Sequence, residues 1–105
     1  MAEDKIKILV ADDEDPLRTT ISAWLADEGF DVDQAPDGVE AIKKVQSQDF
    51  DIAILDIKMP GANGLEVLRY IKKNSSSTEV VMVTGMSDVS MAVEAMKLGA
   101  REYLT

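Results

Sequence analysis

Residues 6–13 read Ile-Lys-Ile-Leu-Val-Ala-Asp-Asp, a short apolar run that ends in two carboxylates. The pattern returns at residues 52–56, Ile-Ala-Ile-Leu-Asp, and residues 80–84, Val-Val-Met-Val-Thr, end in a hydroxyl. Short apolar runs of this kind are typical of buried strands in a parallel sheet. Because ligands bind at the carboxyl ends of such strands, we expect the polar residues that end these runs to form one site.

Amphipathic stretches with helical spacing separate the apolar runs, which predicts an α/β fold. The second strand is short and polar and is therefore expected at the edge of the sheet. The third is apolar on both faces and is expected at the centre. The predicted strands cover residues 5–11, 30–35, 50–55, 80–84 and 102–105.

The predicted helices begin at capping residues. Asp15, followed by Pro16, is expected to cap the first helix, and Gly29 to end it. Residues 37–40 and 63–66 have the spacing of capping boxes that open the second and third helices. The apolar positions expected to face inward are Leu17, Ile21, Trp24 and Leu25, then Val39, Ile42 and Val45, then Leu65, Leu68 and Ile71, and finally Val89, Ala92, Val93 and Met96.

Composition narrows the possible functions. The 105 residues are enough for one domain, and no apolar run approaches the roughly 20 residues that span a bilayer. The chain has no cysteine, which favours a cytoplasmic location, and no histidine, the commonest general base. Its net charge of −9 argues against direct binding of nucleic acid by this segment.

The acidic residues at the strand ends indicate a site for a hard cation and for phosphate. Asp12 and Asp13 on their own could be no more than a loop and a helix cap. Thr84 on its own could be a packing or capping residue. Their combination with Asp56 favours a functional site.

Three motifs together resemble one family. They are Asp12-Asp13, residues 56–61 (Asp-Ile-Lys-Met-Pro-Gly) and Thr84-Gly85, and residues 95–105 complete the pattern. Their order and spacing resemble the receiver domain of bacterial two-component response regulators over essentially the whole chain. The resemblance implies a flavodoxin-like open parallel sheet of five strands, ordered 2-1-3-4-5, with helices on both faces. It also implies one receiver domain over residues 1–105 that is a phosphoacceptor rather than an enzyme.

The resemblance further implies a role for each site residue. Asp56 accepts a phosphoryl group from a sensor histidine kinase, and the site holds Mg²⁺. The implied metal ligands are Asp12, Asp13, Asp56 and the backbone carbonyl of Lys58. Thr84 would donate a hydrogen bond to the phosphoryl group, and Tyr103 would be the aromatic switch residue. The implied partner is an output domain or a second copy of the chain. The resemblance implies no membrane as a partner of this segment.

The family pattern continues with a Lys-Pro step and a last helix, whereas the sequence stops at Thr105. We therefore expect that this chain is a piece of a longer regulator and that this piece lacks the terminal helix. Two alternatives stay open. One is a Mg²⁺-dependent phosphatase of the haloacid dehalogenase class, although Lys58 occupies the position of its general acid. The other is an interaction or oligomerisation module that is not switched by phosphate.

Overall fold

The computed structural model describes residues 5–74, 77–83 and 89–104. The strands are β1 (Lys7–Ala11), β2 (Asp31–Ala35), β3 (Ile52–Leu55), β4 (Glu79–Val83) and β5 (Glu102–Leu104). The helices are α1 (Asp15–Asp27), α2 (Gly38–Ser47), α3 (Gly64–Asn74) and α4 (Val89–Lys97). No helix in these three ranges is both long enough and apolar enough to cross a membrane.

The sheet has the predicted order, β2-β1-β3-β4-β5, and every pairing is parallel. The polar strand β2 lies at an edge and the apolar strand β3 lies at the centre, as predicted. Ala11 at the end of β1 is in register with both Ala35 and Leu55. Three neighbouring strands therefore end at the same level, which brings the residues that follow them to one edge of the sheet.

The core is built on the central strands and on helices α2 and α3. Leu9, Leu55 and Met82 are fully buried in the sheet, and Leu68 and Ile71 of α3 pack into the same cluster. Phe50 is buried although it precedes β3 as the structure defines that strand. Burial of these large apolar side chains stabilises the domain.

The predicted caps of α2 and α3 are confirmed. Asp37 accepts a hydrogen bond from the Glu40 N–H at 2.8 Å. Asn63 and Glu66 each accept from the other's backbone N–H at 2.9 Å, which is a complete capping box. Gly29 follows α1 with a φ of 100°, the conformation expected of a glycine after a helix end.

The predicted cap of α1 is wrong. Glu14 is the N-cap, without a side-chain cap bond, and Asp15 is already helical. The carboxylate of Asp12 accepts the Glu14 N–H at 2.9 Å, which shapes the turn one residue earlier than predicted. Asp15 instead forms an ion pair with Arg18 at 2.6 Å.

The inward faces of three helices were predicted only in part. Leu17 and Trp24 of α1, Val39 of α2, and Val93 and Met96 of α4 are exposed. The residues that are buried in their place are small: Ser22, Ala41 and Ala95. Small side chains allow a helix to approach the sheet closely, so the contact lies one or two positions away from the larger apolar residues.

Candidate functional site

Three carboxylates meet at the carboxyl edge of the sheet. Asp12, Asp13 and Asp56 each offer an oxygen, and these oxygens lie within 4.8 Å of one another. Asp12 is only 5% exposed, Asp56 is intermediate and Asp13 is exposed. The group therefore opens to solvent on one side and is bounded by the core on the other.

Backbone hydrogen bonds hold the ends of β2, β1 and β3 against one another. The Asp12 N–H donates to the Ala35 carbonyl at 3.1 Å, and the Asp56 N–H donates to the Ala11 carbonyl at 3.0 Å. Beyond Asp56, the Gly64 N–H donates to the Ile57 carbonyl at 2.8 Å, which closes the loop at the start of α3. The carboxylates are thus attached to backbone that is held by hydrogen bonds to neighbouring segments.

The surroundings of Asp56 disfavour the negative charge of its carboxylate. Burial raises the pKa of Asp56 above its ordinary value, and the negative charges of Asp12 and Asp13 raise it further. Hydrogen bonds from the backbone N–H groups of Lys58 and Ile57 oppose this and lower the pKa. A divalent cation would relieve the repulsion among the three carboxylates, and oxygen donors are the ligands that Mg²⁺ prefers. The donor set therefore fits a Mg²⁺ ion.

The remaining predicted site residues have different outcomes. The Lys58 N–H approaches the Asp56 carboxylate at 3.4 Å and its side chain is exposed, while the role of its carbonyl stays a prediction. Tyr103 is half-buried, packs against the core and pairs in register with Met82 of β4. Its role as a switch stays a prediction. Thr84 lies outside the described residues.

Two residues beside the carboxylates were missed by the sequence analysis. Arg18 donates from Nη1 to the Asp12 carbonyl at 2.9 Å. A side chain built on Gly64 would overlap the carbonyl of Asp56. Two signals were available in the sequence. Arg18 lies one helical turn after the acidic residues Glu14 and Asp15, and Gly64 lies inside a capping box. Neither signal specifies a contact with the strand ends.

Comparison with known proteins gives one consistent answer. Residues 8–105 match the sequence profile of the response regulator receiver domain. The transcriptional regulatory protein ZraR of Klebsiella oxytoca is 38% identical over 104 residues, which cover 99% of this chain and 24% of ZraR. The chain thus spans about a quarter of that relative's length.

Two similar solved structures contain a phosphorylated aspartic acid or Mg²⁺-BeF. A Burkholderia pseudomallei response regulator, solved with a phosphorylated aspartic acid, a calcium ion and citrate, superposes with a TM-score of 0.90 at 29% identity. That match covers 96% of this chain and 59% of the other. Thermotoga maritima TrrA, in complex with Mg²⁺-BeF, has a TM-score of 0.86 at 37% identity, covering 97% and 86% of the two chains.

Proposed function

The chain belongs to the response regulator receiver domain family, and from this premise we propose that it is a phosphorylation-dependent switch in which Asp56 accepts the phosphoryl group. The observation that carries the proposal is the approach of the Asp12, Asp13 and Asp56 carboxylates to within 4.8 Å. The related structures with a phosphorylated aspartic acid and with Mg²⁺-BeF support the same chemistry.

In the proposed reaction a carboxylate oxygen of Asp56 attacks the phosphorus of a phosphohistidine on a sensor histidine kinase. The new O–P bond forms as the P–N bond breaks, and the electron pair leaves on the imidazole nitrogen, so that Asp56 becomes an acyl phosphate. Bound Mg²⁺ would neutralise charge on the phosphoryl oxygens and the carboxylates. Asp12, Asp13 and the Lys58 carbonyl would hold that ion beside Asp56. The chain has no histidine and so would receive the phosphoryl group without a phosphohistidine of its own.

The output is proposed to be a changed contact surface. The Thr84 hydroxyl would donate to the phosphoryl group, and Tyr103 would shift position in response. ZraR is a transcriptional regulatory protein of which this chain matches 24%. We therefore propose a cytoplasmic receiver domain over residues 1–105 whose partner is an output domain or a second receiver. It would act as a phosphoacceptor rather than as a turnover enzyme.

Intact mass spectrometry after incubation with acetyl phosphate and Mg²⁺ tests this proposal. We expect one phosphoryl adduct, which is lost with Asp56→Asn or when the metal is chelated. Asp27→Asn serves as the control, because Asp27 is an exposed acid at the end of α1, and it should leave the adduct unchanged.

Two results would contradict the proposal. An adduct that survives Asp56→Asn would move the acceptor to another residue. No adduct on protein that is folded by circular dichroism would reject the phosphoacceptor role. Steady release of phosphate from p-nitrophenyl phosphate would instead support a phosphatase.

A further inference from the structure

The largely buried side chain of Arg18 forms polar contacts with three parts of the domain next to the carboxylates. Its side chain is 12% exposed although it lies near the start of a surface helix. Nη1 donates to the Asp12 carbonyl at 2.9 Å and Nε donates to the Gln34 side-chain oxygen at 3.1 Å. Nη2 forms the ion pair with Asp15 at 2.6 Å. One guanidinium therefore connects the end of β1, the edge strand β2 and helix α1.

The contact with Asp12 is made on the backbone. The Asp12 N–H is already bonded to Ala35 and the Asp12 carboxylate accepts from Glu14. With Arg18 on its carbonyl oxygen, the backbone of Asp12 is held on both sides. That carbonyl belongs to the planar peptide leading into Asp13, so its orientation also sets the direction in which the Asp13 side chain leaves the backbone.

The three contacts of Arg18 differ in strength. Asp15 is 77% exposed, and an ion pair with such a group contributes little because water screens it. Hydrogen bonds from a charged donor to partly buried acceptors are stronger, and those from Arg18 to Asp12 and Gln34 are both partly buried. The guanidinium therefore acts mainly on the end of β1 and on its support from β2.

We propose that Arg18 is a positioning residue of the metal site. Its hydrogen bond to the Asp12 carbonyl holds the Asp12–Asp13 peptide in the orientation that brings both carboxylates to Asp56, and so raises the affinity for divalent cations. Gln34 supports this role by fixing the guanidinium from β2. The inference rests on the proposed function, since it assigns Arg18 to the Mg²⁺ site of that function.

Titration calorimetry with Mg²⁺ alone is the first test. Outer-shell partners of metal ligands typically contribute 10–100-fold to affinity, and we expect Arg18→Ala to weaken Mg²⁺ binding about tenfold. Arg18→Lys should recover part of that loss, because an ammonium group can still donate to the carbonyl. Arg69→Ala is the matched control, since Arg69 is an exposed arginine on α3 that forms a 3.8 Å ion pair with Glu94. It should leave the affinity unchanged.

A double-mutant cycle separates positioning from a general loss of stability. Gln34→Ala should weaken Mg²⁺ binding when Arg18 is present and have no further effect in the Arg18→Ala background. Phosphorylation of Arg18→Ala by acetyl phosphate should return to the level of the unaltered protein at saturating Mg²⁺, because only the occupancy of the site is reduced. A variant with a distorted core would not be restored by metal.

The outcomes separate this inference from the proposed function. If the unaltered protein binds Mg²⁺ and Arg18→Ala binds it equally well, the role of Arg18 is rejected while the proposed function stands. Additive effects of Arg18→Ala and Gln34→Ala would also reject it. If the unaltered folded protein binds no Mg²⁺, both the proposed function and the role of Arg18 are overturned.

Discussion

The surroundings of Asp56 oppose the negative charge of its carboxylate. Its pKa is raised above the ordinary 3.8 by burial first and by Asp12 and Asp13 next. A carboxyl group that binds its proton more tightly when folded stabilises the fold at low pH. That contribution is lost as the pH rises through the raised pKa. At neutral pH the metal-free protein therefore carries a repulsive charge cluster that a cation or a neutral side chain would relieve.

Asp56→Asn should raise the midpoint of thermal unfolding at neutral pH in the absence of divalent cations. Asparagine keeps the size of the side chain and removes the charge that Asp12 and Asp13 repel. The difference from the unaltered protein should shrink as the pH is lowered from neutral toward the raised pKa of Asp56, because Asp56 itself becomes protonated. Thermal unfolding followed by circular dichroism across this range measures the effect.

The exposed acid Asp27 provides the comparison, since Asp27→Asn should respond to Mg²⁺ as the unaltered protein does. Adding Mg²⁺ should raise the midpoint of the unaltered protein and leave that of Asp56→Asn nearly unchanged. An Asp56→Asn protein that is less stable than the unaltered one throughout this pH range would show that hydrogen bonding outweighs repulsion at this site.

Among the elements, the junction of β3 with α3 is tightly packed beside Asp56. A Cβ added to Gly64 would overlap the Asp56 carbonyl and lie 2.9 Å from the Cα of Ile57. Both neighbours are backbone atoms of the segment directly after β3, and they have little freedom to move. The first residue of α3 therefore determines how close that helix lies to the carboxylate site.

Gly64→Ala should lower the free energy of unfolding by about 1–3 kcal/mol, the usual cost of overpacking, and should also weaken Mg²⁺ binding. Gly29→Ala is the informative comparison. Gly29 has nothing within 4 Å of an added Cβ, but its φ of 100° suits glycine. That substitution should cost about 1 kcal/mol and leave Mg²⁺ affinity intact. Urea unfolding and calorimetry measure both quantities, and equal Mg²⁺ affinity in Gly64→Ala would contradict the steric argument.

At the scale of the whole molecule, apolar surface and negative charge act against each other. Trp24 is 63% exposed and Leu17 is 42% exposed, and their spacing of seven residues puts them on the same face of α1. Exposed aromatic surface of this kind favours association. The net charge of −9 opposes it by repulsion between copies.

We expect this 105-residue chain to self-associate at tens of micromolar. Salt should promote the association by screening the charge, and Trp24→Ser should reduce it. Light scattering measures the mass, and Trp24 emission reports the contact directly because it is the single tryptophan. Val39→Ser is the control, since Val39 is also exposed but lies on α2. A monomer at every concentration and salt level would remove this support for an interaction module.

Much of the architecture was predictable because it depends on local sequence. The alternation of apolar runs and amphipathic stretches predicts an α/β fold, and the polarity of residues 30–35 predicts an edge strand. The capping box at Asn63 and Glu66 is confirmed because both partners lie within one helical turn. The motifs that resemble the receiver family supplied the strand order and the three carboxylates.

Contacts between distant segments were decided only by the tertiary structure. Helical spacing predicts that a helix has an apolar stripe, but not which residues of the helix contact the sheet. Ser22 and Ala41 are buried, whereas Trp24 and Val39 are exposed. The contact between Arg18 and the Asp12 carbonyl depends on where α1 lies over β1 and β2. Local preferences act over a few residues and can be read from the chain. The distance between two side chains depends on how all the elements pack together.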